Sequence, residues 1–181
     1  MISGPSGAGK GTVIALVKQK VGGVVTSVSA TTRSPRPGEA DGREYHYLSR
    51  GAFEAAVAAG EFLEWVQYSG DFYGTLRAEV DVMLARGDDV ILEIELVGAR
   101  AVRKALPEAV AVFIAPPSMA ELAQRLRGRG TETDEAIARR LSIATTEVAA
   151  AGEFDHVVVN DDAERAATEV AAIIEERRKG H

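Results

Sequence analysis

Gly4-Pro5-Ser6-Gly7-Ala8-Gly9-Lys10-Gly11-Thr12 is the stretch of this chain best equipped for chemistry. From Gly4 to Lys10 it reads G-x-x-x-x-G-K, the pattern of a loop that binds phosphate. Glycines let the backbone turn tightly and direct successive N–H groups at one anion. Lys10 adds a point charge for β- and γ-phosphate oxygens. Val13, Ile14, Leu16 and Val17 predict a helix directly after the loop. The positive end of its dipole faces the same anion. Ser or Thr usually follows the lysine and holds Mg²⁺. Here Gly11 takes that place, and Thr12 is the nearest hydroxyl.

Three further groups of residues could act on an anion. Arg33 and Arg36 stand three apart in Thr31-Thr32-Arg33-Ser34-Pro35-Arg36-Pro37-Gly38-Glu39, where the prolines and glycine exclude a helix. Guanidinium groups on a constrained loop suit a fork around phosphate oxygens. Arg125, Arg127 and Arg129 lie among glycines in a segment with the composition of a mobile cover. Arg139 and Arg140 stand side by side on the helix that follows. Glu93 and Glu95 interrupt the apolar run Val90-Ile91-Leu92-Glu93-Ile94-Glu95-Leu96 at period two, so both point to one side of the expected strand. Buried carboxylates without partners are costly. At the end of a parallel strand they would face a ligand crevice. Glu93 is then placed to support Mg²⁺ indirectly, through water.

The elements that must position these groups alternate. Strands are expected at residues 24–29, 44–48, 61–68, 72–75, 90–96, 109–115 and 154–159. Between them lie helices, including one through Val80 and Leu84, one through Arg100 and Leu106, and one opened by a Ser118/Glu121 capping box. Asn160-Asp161-Asp162 caps a last helix, with Ala163, Ala166, Ala167, Val170, Ile173 and Ile174 as its inward stripe. Its polar end from Glu175 is expected to fray. Only Met1 to Ser3 precede Gly4, so the first strand is short: either the start lies upstream or the sheet has a clipped strand. This alternation predicts an α/β fold, a parallel sheet flanked by helices. One insert is expected at 30–77 and a second at 118–145, on a core of 1–29, 78–117 and 146–181.

Composition narrows the function classes. The chain has 181 residues, enough for one domain with a proper core, and no cysteine, so no disulfide, thiolate metal site or cysteine nucleophile. His46, His156 and His181 form no metal-ligand spacing. Net charge is −6, against a general nucleic-acid binder. No apolar run approaches membrane-span length, and no secretory leader is read at the N-terminus. A cytoplasmic protein is the expectation. The sequence leaves the oligomeric state open, a homo-oligomer included.

The arginine-proline run of 31–39, followed by Asp41-Gly42 and Tyr45, resembles the guanylate kinases. The likeness extends through Glu64-Trp65, Tyr73-Gly74-Thr75, Gly128-Arg129-Gly130-Thr131-Glu132-Thr133 and Val159-Asn160-Asp161-Asp162. It spans nearly the whole chain. The resemblance implies the P-loop nucleoside monophosphate kinase fold, with 30–77 as a GMP-binding insert and 118–145 as a lid. It implies transfer of a phosphoryl group from ATP to GMP, or to dGMP, with Mg²⁺. Under it, Arg33, Arg36, Tyr45 and Tyr73 would hold the GMP phosphate. Ser29, Glu64, Thr75 and Glu95 would read guanine. Lys10, Arg125, Arg129 and Arg140 would surround the transferring group, and Asn160 would lie near adenine.

The chemistry of the bases agrees. Guanine N1–H and N2–H suit a carboxylate such as Glu64, and O6 suits a hydroxyl such as Ser29 or Thr75. Three positions depart from the family pattern. Glu95 replaces an aspartate, Val97 a glutamine, and Gly11-Thr12 the commoner hydroxyl directly after the lysine. The last arrangement is also that of adenylate kinases. Phosphopeptide-binding relatives of this fold lack a working phosphate loop, whereas Gly4, Gly9 and Lys10 are intact here.

Overall fold

The computed structural model describes residues 1–68, 70–128 and 133–180. The strands are β1 (Ile2–Ser3), β2 (Val24–Thr26), β3 (Ala30–Thr31), β4 (His46–Tyr47), β5 (Phe62–Tyr68), β6 (Asp71–Leu76), β7 (Asp89–Ile91), β8 (Val112–Ala115) and β9 (His156–Val159). The helices are α1 (Lys10–Lys20), α2 (Arg50–Ala58), α3 (Arg77–Ala85), α4 (Leu96–Ala105), α5 (Met119–Gly128), α6 (Asp134–Ala149) and α7 (Ala163–Lys179). Strands and helices alternate as the sequence implies, and the architecture is α/β with parallel strands flanked by helices. The described residues fall into two compact units.

The first unit comprises residues 1–22, 93–96 and 110–181. Its sheet has the order β1-β8-β9, all parallel, with Ile2 opposite Val112 and Val112 opposite His156. Val112, Phe113, Ile114 and Ala115 are all buried, as a central parallel strand covered on both faces requires. Helix α1 packs on α7; α1 buries Val13, Ile14 and Val17, and α7 buries Ala166, Ala167, Val170 and Ala171. Helices α5 and α6 share the cluster Leu122, Leu126, Ile137 and Ala144. Ser118 caps α5 by accepting a hydrogen bond from the Glu121 N–H at 3.1 Å. Helix α7 does not fray at Glu175 but continues to Lys179. Arg177, Arg178 and Lys179 complement the negative end of its dipole. Arg178 also donates to the Gly22 carbonyl at 2.6 Å and ties the last turn down.

The second unit comprises residues 23–92 and 97–109, wider than the insert expected at 30–77. It holds a parallel pair, β2 with β7, and a sheet of order β4-β3-β6-β5. In that sheet β5 and β6 form an antiparallel hairpin with a bulge between Phe62 and Glu64. Phe53 stacks on Phe62 and Phe72 at 4.4 and 5.4 Å and, with Ala30, makes the core.

Several sequence boundaries shift. The strand expected over 24–29 stops at Thr26, and Ala30–Thr31, expected to open a loop, forms β3. Between them the Val28 N–H is satisfied by Glu79 Oε1 at 2.7 Å, and the Ser29 carbonyl by the His46 N–H at 2.9 Å, so the chain changes partners. The strand expected over 90–96 ends at Ile91, where β2 also ends. Glu93 makes a single bridge to Ile2, and α4 begins at Leu96. The alternation survives: Glu93 and Glu95 are exposed and Ile94 is buried.

Candidate active site

The phosphate loop lies in the first unit, between β1 and α1. The Ala8 N–H closes a turn on the Pro5 carbonyl at 3.1 Å. Gly4 sits at φ 143°, and a Cβ there would stand 2.2 Å from the Ile114 carbonyl oxygen, so backbone packs on backbone. Gly9, the N-cap of α1, sits at φ 89°, and a Cβ would stand 2.4 Å from Asn160 Nδ2. Both positions need glycine for conformation and for space. No acidic residue occupies the first turn of α1, which leaves its positive end uncompensated. Lys10 folds back over the loop, donating to the carbonyls of Gly4 at 2.5 Å and Pro5 at 3.3 Å. Thr12 is exposed in the first turn. Nothing lies within 4 Å of where a Gly11 side chain would begin, so its lack of a hydroxyl is not steric.

The loop is braced from beneath. Asn160, 4% exposed, donates from Nδ2 to the Ala8 carbonyl at 2.7 Å, and its own N–H donates to Ala115 at 2.8 Å. The end of β9 thereby fixes which way the loop's peptide groups face. Arg125, expected at the transferring phosphoryl group, donates to the Asn160 carbonyl at 3.0 Å and pairs with Glu121 at 2.9 Å. Arg140 reaches Ser6 Oγ at 3.5 Å. Lys10, Arg140 and, through Asn160, Arg125 thus gather at one loop, while Arg129 lies outside the described residues. Glu147 on α6, which the sequence reading passed over, is buried in the same unit. Burial and the Glu95 carboxylate push its carboxyl up, and Lys10 pulls it down. Its signal in the sequence was an acid on the apolar stripe of Ile137 and Ala144.

The second unit gathers the remaining residues. Arg33 grips Glu39 with both guanidinium nitrogens, at 3.0 and 3.1 Å. Its charge also lies over the rings of Tyr45 and Tyr47, 5.3 and 5.8 Å from their centroids. Tyr73 meets Tyr45 edge-on at 5.9 Å. Glu39 further accepts from the Arg36 N–H at 2.7 Å and the Tyr47 hydroxyl at 2.8 Å. These donors, Arg33 first, hold its carboxyl down to about 2. Arg33, Tyr45 and Tyr73 are therefore brought together, whereas Arg36 joins through its main chain and is exposed. Glu39 and Tyr47 were missed as site residues because their role is contact with the clamp. On the facing hairpin Thr75 is fully buried and donates to Glu64 Oε1 at 2.7 Å, with Glu64 6% exposed. Ser29 is half-buried beside β3.

A glycine-rich loop at a helix N-terminus, and in the other unit a buried carboxylate–hydroxyl pair and an arginine fork, fit a kinase with a small phosphorylated acceptor. Comparison with known proteins decides the family. The guanylate kinase family model matches residues 1–177. The chain belongs to the guanylate kinase family. Membership makes it an enzyme, a nucleoside monophosphate kinase. A guanylate kinase of Rubrobacter xylanophilus is 53% identical over 174 residues, 96% of this chain and 91% of its own length. One from Frankia casuarinae is 53% identical over 96% of this chain and 95% of its own length. The crystal structure of guanylate kinase from Anaplasma phagocytophilum superposes with a TM-score of 0.76 at 31% identity, covering 97% of this chain and 82% of that one. The α/β architecture of this chain is the P-loop fold of that family. Among the described residues, no helix is long and apolar enough to cross a membrane.

Proposed function

We propose that the chain transfers the γ-phosphoryl group of ATP to GMP, giving ADP and GDP, and accepts dGMP as a second acceptor. The observation that carries this reading is the Thr75–Glu64 pair. A buried carboxylate with one oxygen on a hydroxyl suits a base that presents two N–H donors on one edge. Guanine does; adenine lacks N1–H and the 2-amino group and would leave the acid unpaired. Such buried polar groups discriminate by roughly 10⁴ in favourable cases.

The residues divide the work. The loop's amides and Lys10 receive the triphosphate, with Asn160 fixing the loop against Ala8. Arg33, whose fork holds a carboxylate, has the geometry to hold the acceptor's phosphate, with Tyr45 and Tyr73 at its side. Ser29 and Glu95 complete the base reading. The attacking phosphate oxygen is already ionised, so no general base is required, and catalysis is positioning plus charge neutralisation. Arg125, Arg129 and Arg140 lie on the segment 118–145, read as a lid that closes and excludes water. The insert 30–77 and the core segments 1–29, 78–117 and 146–181 complete this division.

The donors fit Mg²⁺. Thr12 offers an exposed hydroxyl in the first turn of α1, and Glu93 an exposed carboxylate on the residue bridged to Ile2, one position before Ser3 and the loop. A hard cation that keeps several waters takes such oxygen donors together with phosphates. Bound there, it would neutralise charge on the β- and γ-phosphates. Use of these cytosolic nucleotides suits a cytoplasmic site of action.

ADP formation from ATP and Mg²⁺, with GMP, dGMP, AMP, CMP and UMP offered in turn, tests the reading. Strong turnover with GMP, less with dGMP and little with the others is expected. Equal turnover with AMP would overturn the base assignment. No turnover by a folded chain that still binds GMP would make it a binding module.

A further inference from the structure

Tyr47 touches both charged partners of the arginine cluster, yet the proposed function gives it no task. Strand β4 fixes its place. Tyr47 lies opposite Thr31 of β3, two residues before Arg33, and its N–H donates to Asp41 Oδ1 at 2.8 Å. From there the side chain makes two kinds of contact. The ring faces the Arg33 charge, 5.8 Å from its centroid, and meets Tyr45 edge-on at 6.0 Å. The hydroxyl donates to Glu39 Oε2 at 2.8 Å. A phenylalanine would make the ring contacts equally well, so it is the hydroxyl that needs a reason.

The two oxygens of Glu39 are unequally loaded. Oε1 accepts from Arg33 Nη2 at 3.1 Å. Oε2 accepts from Arg33 Nη1 at 3.0 Å, from the Arg36 N–H at 2.7 Å and from the Tyr47 hydroxyl at 2.8 Å. An ionised carboxylate offers about two lone-pair sites on each oxygen. The donors that meet at Oε2 therefore share it, and the contact with Arg33 is the longest of them. When an anion takes Arg33, Oε2 keeps the Arg36 N–H and the Tyr47 hydroxyl, one for each site. Without that hydroxyl only the Arg36 N–H of this set would remain. A charged acceptor stripped of its partners is costly to leave behind, so Arg33 would be harder to withdraw.

We propose that Tyr47 is a positioning residue for acceptor binding: its hydroxyl holds Glu39 while Arg33 turns from that carboxylate to the acceptor's phosphate. The inference rests on the reading of Arg33 as the phosphate fork. Glu39 is the resident ligand of the fork, and the Tyr47 hydroxyl with the Arg36 main chain is where it stays when phosphate arrives. Tyr47 acts through Glu39 and not by touching the phosphate.

Calorimetric titration of the full chain with GMP, and separately with guanosine, tests this in the wild type, Tyr47→Phe, Glu39→Gln and the Tyr47→Phe/Glu39→Gln double variant. Tyr47→Phe keeps the ring and removes the hydroxyl. It is expected to weaken GMP about fivefold, the scale of one hydrogen bond's net worth. The KM for GMP should rise with it, while kcat stays within about twofold of wild type. Guanosine carries the base without the phosphate, so its affinity should change by less than about twofold. Glu39→Gln removes the charge that competes for Arg33, and adding Tyr47→Phe to it should change GMP affinity by less than about twofold. The inference fails if Tyr47→Phe binds GMP like wild type, or if it weakens guanosine as much as GMP, which would make the hydroxyl structural. It fails if the loss persists in Glu39→Gln, which would put the hydroxyl on the phosphate itself. A Tyr47→Phe chain that does not fold overturns it too. If the wild type binds guanosine as tightly as GMP, the reading of the Arg33 fork falls, and the inference with it.

Discussion

The glycine-rich loop and the Arg33 cluster hold their cations differently. In the first unit, Lys10 donates to the main-chain carbonyls of Gly4 and Pro5, and Arg125 to that of Asn160 as well as to the Glu121 carboxylate. In the other unit, Arg33 is gripped by a carboxylate, Glu39, which two further donors also hold. The difference follows from the backbones. The phosphate loop is fixed by packing, with Gly4 against Ile114 and Gly9 against Asn160, so its shape does not depend on a charge pair. The segment 34–38 has no such packing: its residues are exposed, and Glu39 organises Arg33, the Arg36 N–H and Tyr47 around itself. One region is shaped by sterics, the other by an internal carboxylate that occupies the Arg33 fork, the fork proposed above to receive the acceptor's phosphate.

The largest expected effect tests the preformed region. Lys10→Ala should lower kcat by roughly 10³, the scale for losing one preorganised charge at a transferring group. GMP binding, followed by calorimetry, should change by less than about threefold, because the acceptor's contacts are made elsewhere. Equal loss of both would mean that the two regions are not separable. Glu64→Gln comes next. Gln keeps an oxygen for the Thr75 hydroxyl, so the fold should hold, but it loses the charge proposed to receive guanine's donors. kcat/KM for GMP should fall roughly 10- to 100-fold, since hydrogen bonds to charged groups are worth about 1.5–3 kcal/mol. Unchanged GMP turnover would remove Glu64 from base recognition.

The preformed region was also the more legible in the sequence. Gly4, Gly9 and Lys10 carry their roles in their spacing, because few residue types can turn a backbone that tightly. The alternation of strands and helices followed from apolar periodicity alone. What the sequence could not show depended on partners far along the chain. Asn160, expected near adenine, also donates its amide to the Ala8 carbonyl, 152 residues away, a contact the sequence does not show. Arg125 reads as part of a glycine-flanked basic cover, and its contacts with Glu121 and Asn160 could not be read from the sequence. The strand expected to reach Leu96 stops at Ile91 because its partner β2 stops, which no local pattern records. Glu147 resembled one more charge on a charged helix until burial set it apart.

The internally held region has a pH signature. Glu39 is depressed to about 2, so its pairing is present above the ordinary glutamate range near 4.5 and is lost as pH falls through about 2. Stability from this contact should therefore be constant at neutral pH and decline progressively as pH falls from about 4.5 to about 2. Carboxyl carbon NMR is expected to show Glu39 still ionised at pH 3. If GMP takes Arg33, saturating GMP should move the Glu39 midpoint back toward the ordinary range. A midpoint that ignores GMP would mean that Glu39 stays in the clamp, and the contrast with the phosphate loop would then be one of permanent architecture.

The smallest expected effect returns to the preformed region. Ser3 ends β1 one residue before Gly4 and is fully buried, and among the described residues its Oγ has no hydrogen-bond partner. An unsatisfied buried hydroxyl costs about 1–3 kcal/mol, and alanine removes that cost while giving up one small polar atom. Ser3→Ala should therefore stabilise the chain by about 1 kcal/mol, a rise in Tm of roughly 2–4 °C for a protein of this size. Turnover should not change, because the loop's shape comes from Ile114 and Asn160 and not from the hydroxyl. Higher stability with unchanged kcat would extend the picture of a loop set by sterics back into β1. Lower kcat at unchanged or higher stability would show that the Ser3 hydroxyl is kept unpaired for a partner that arrives with the nucleotide.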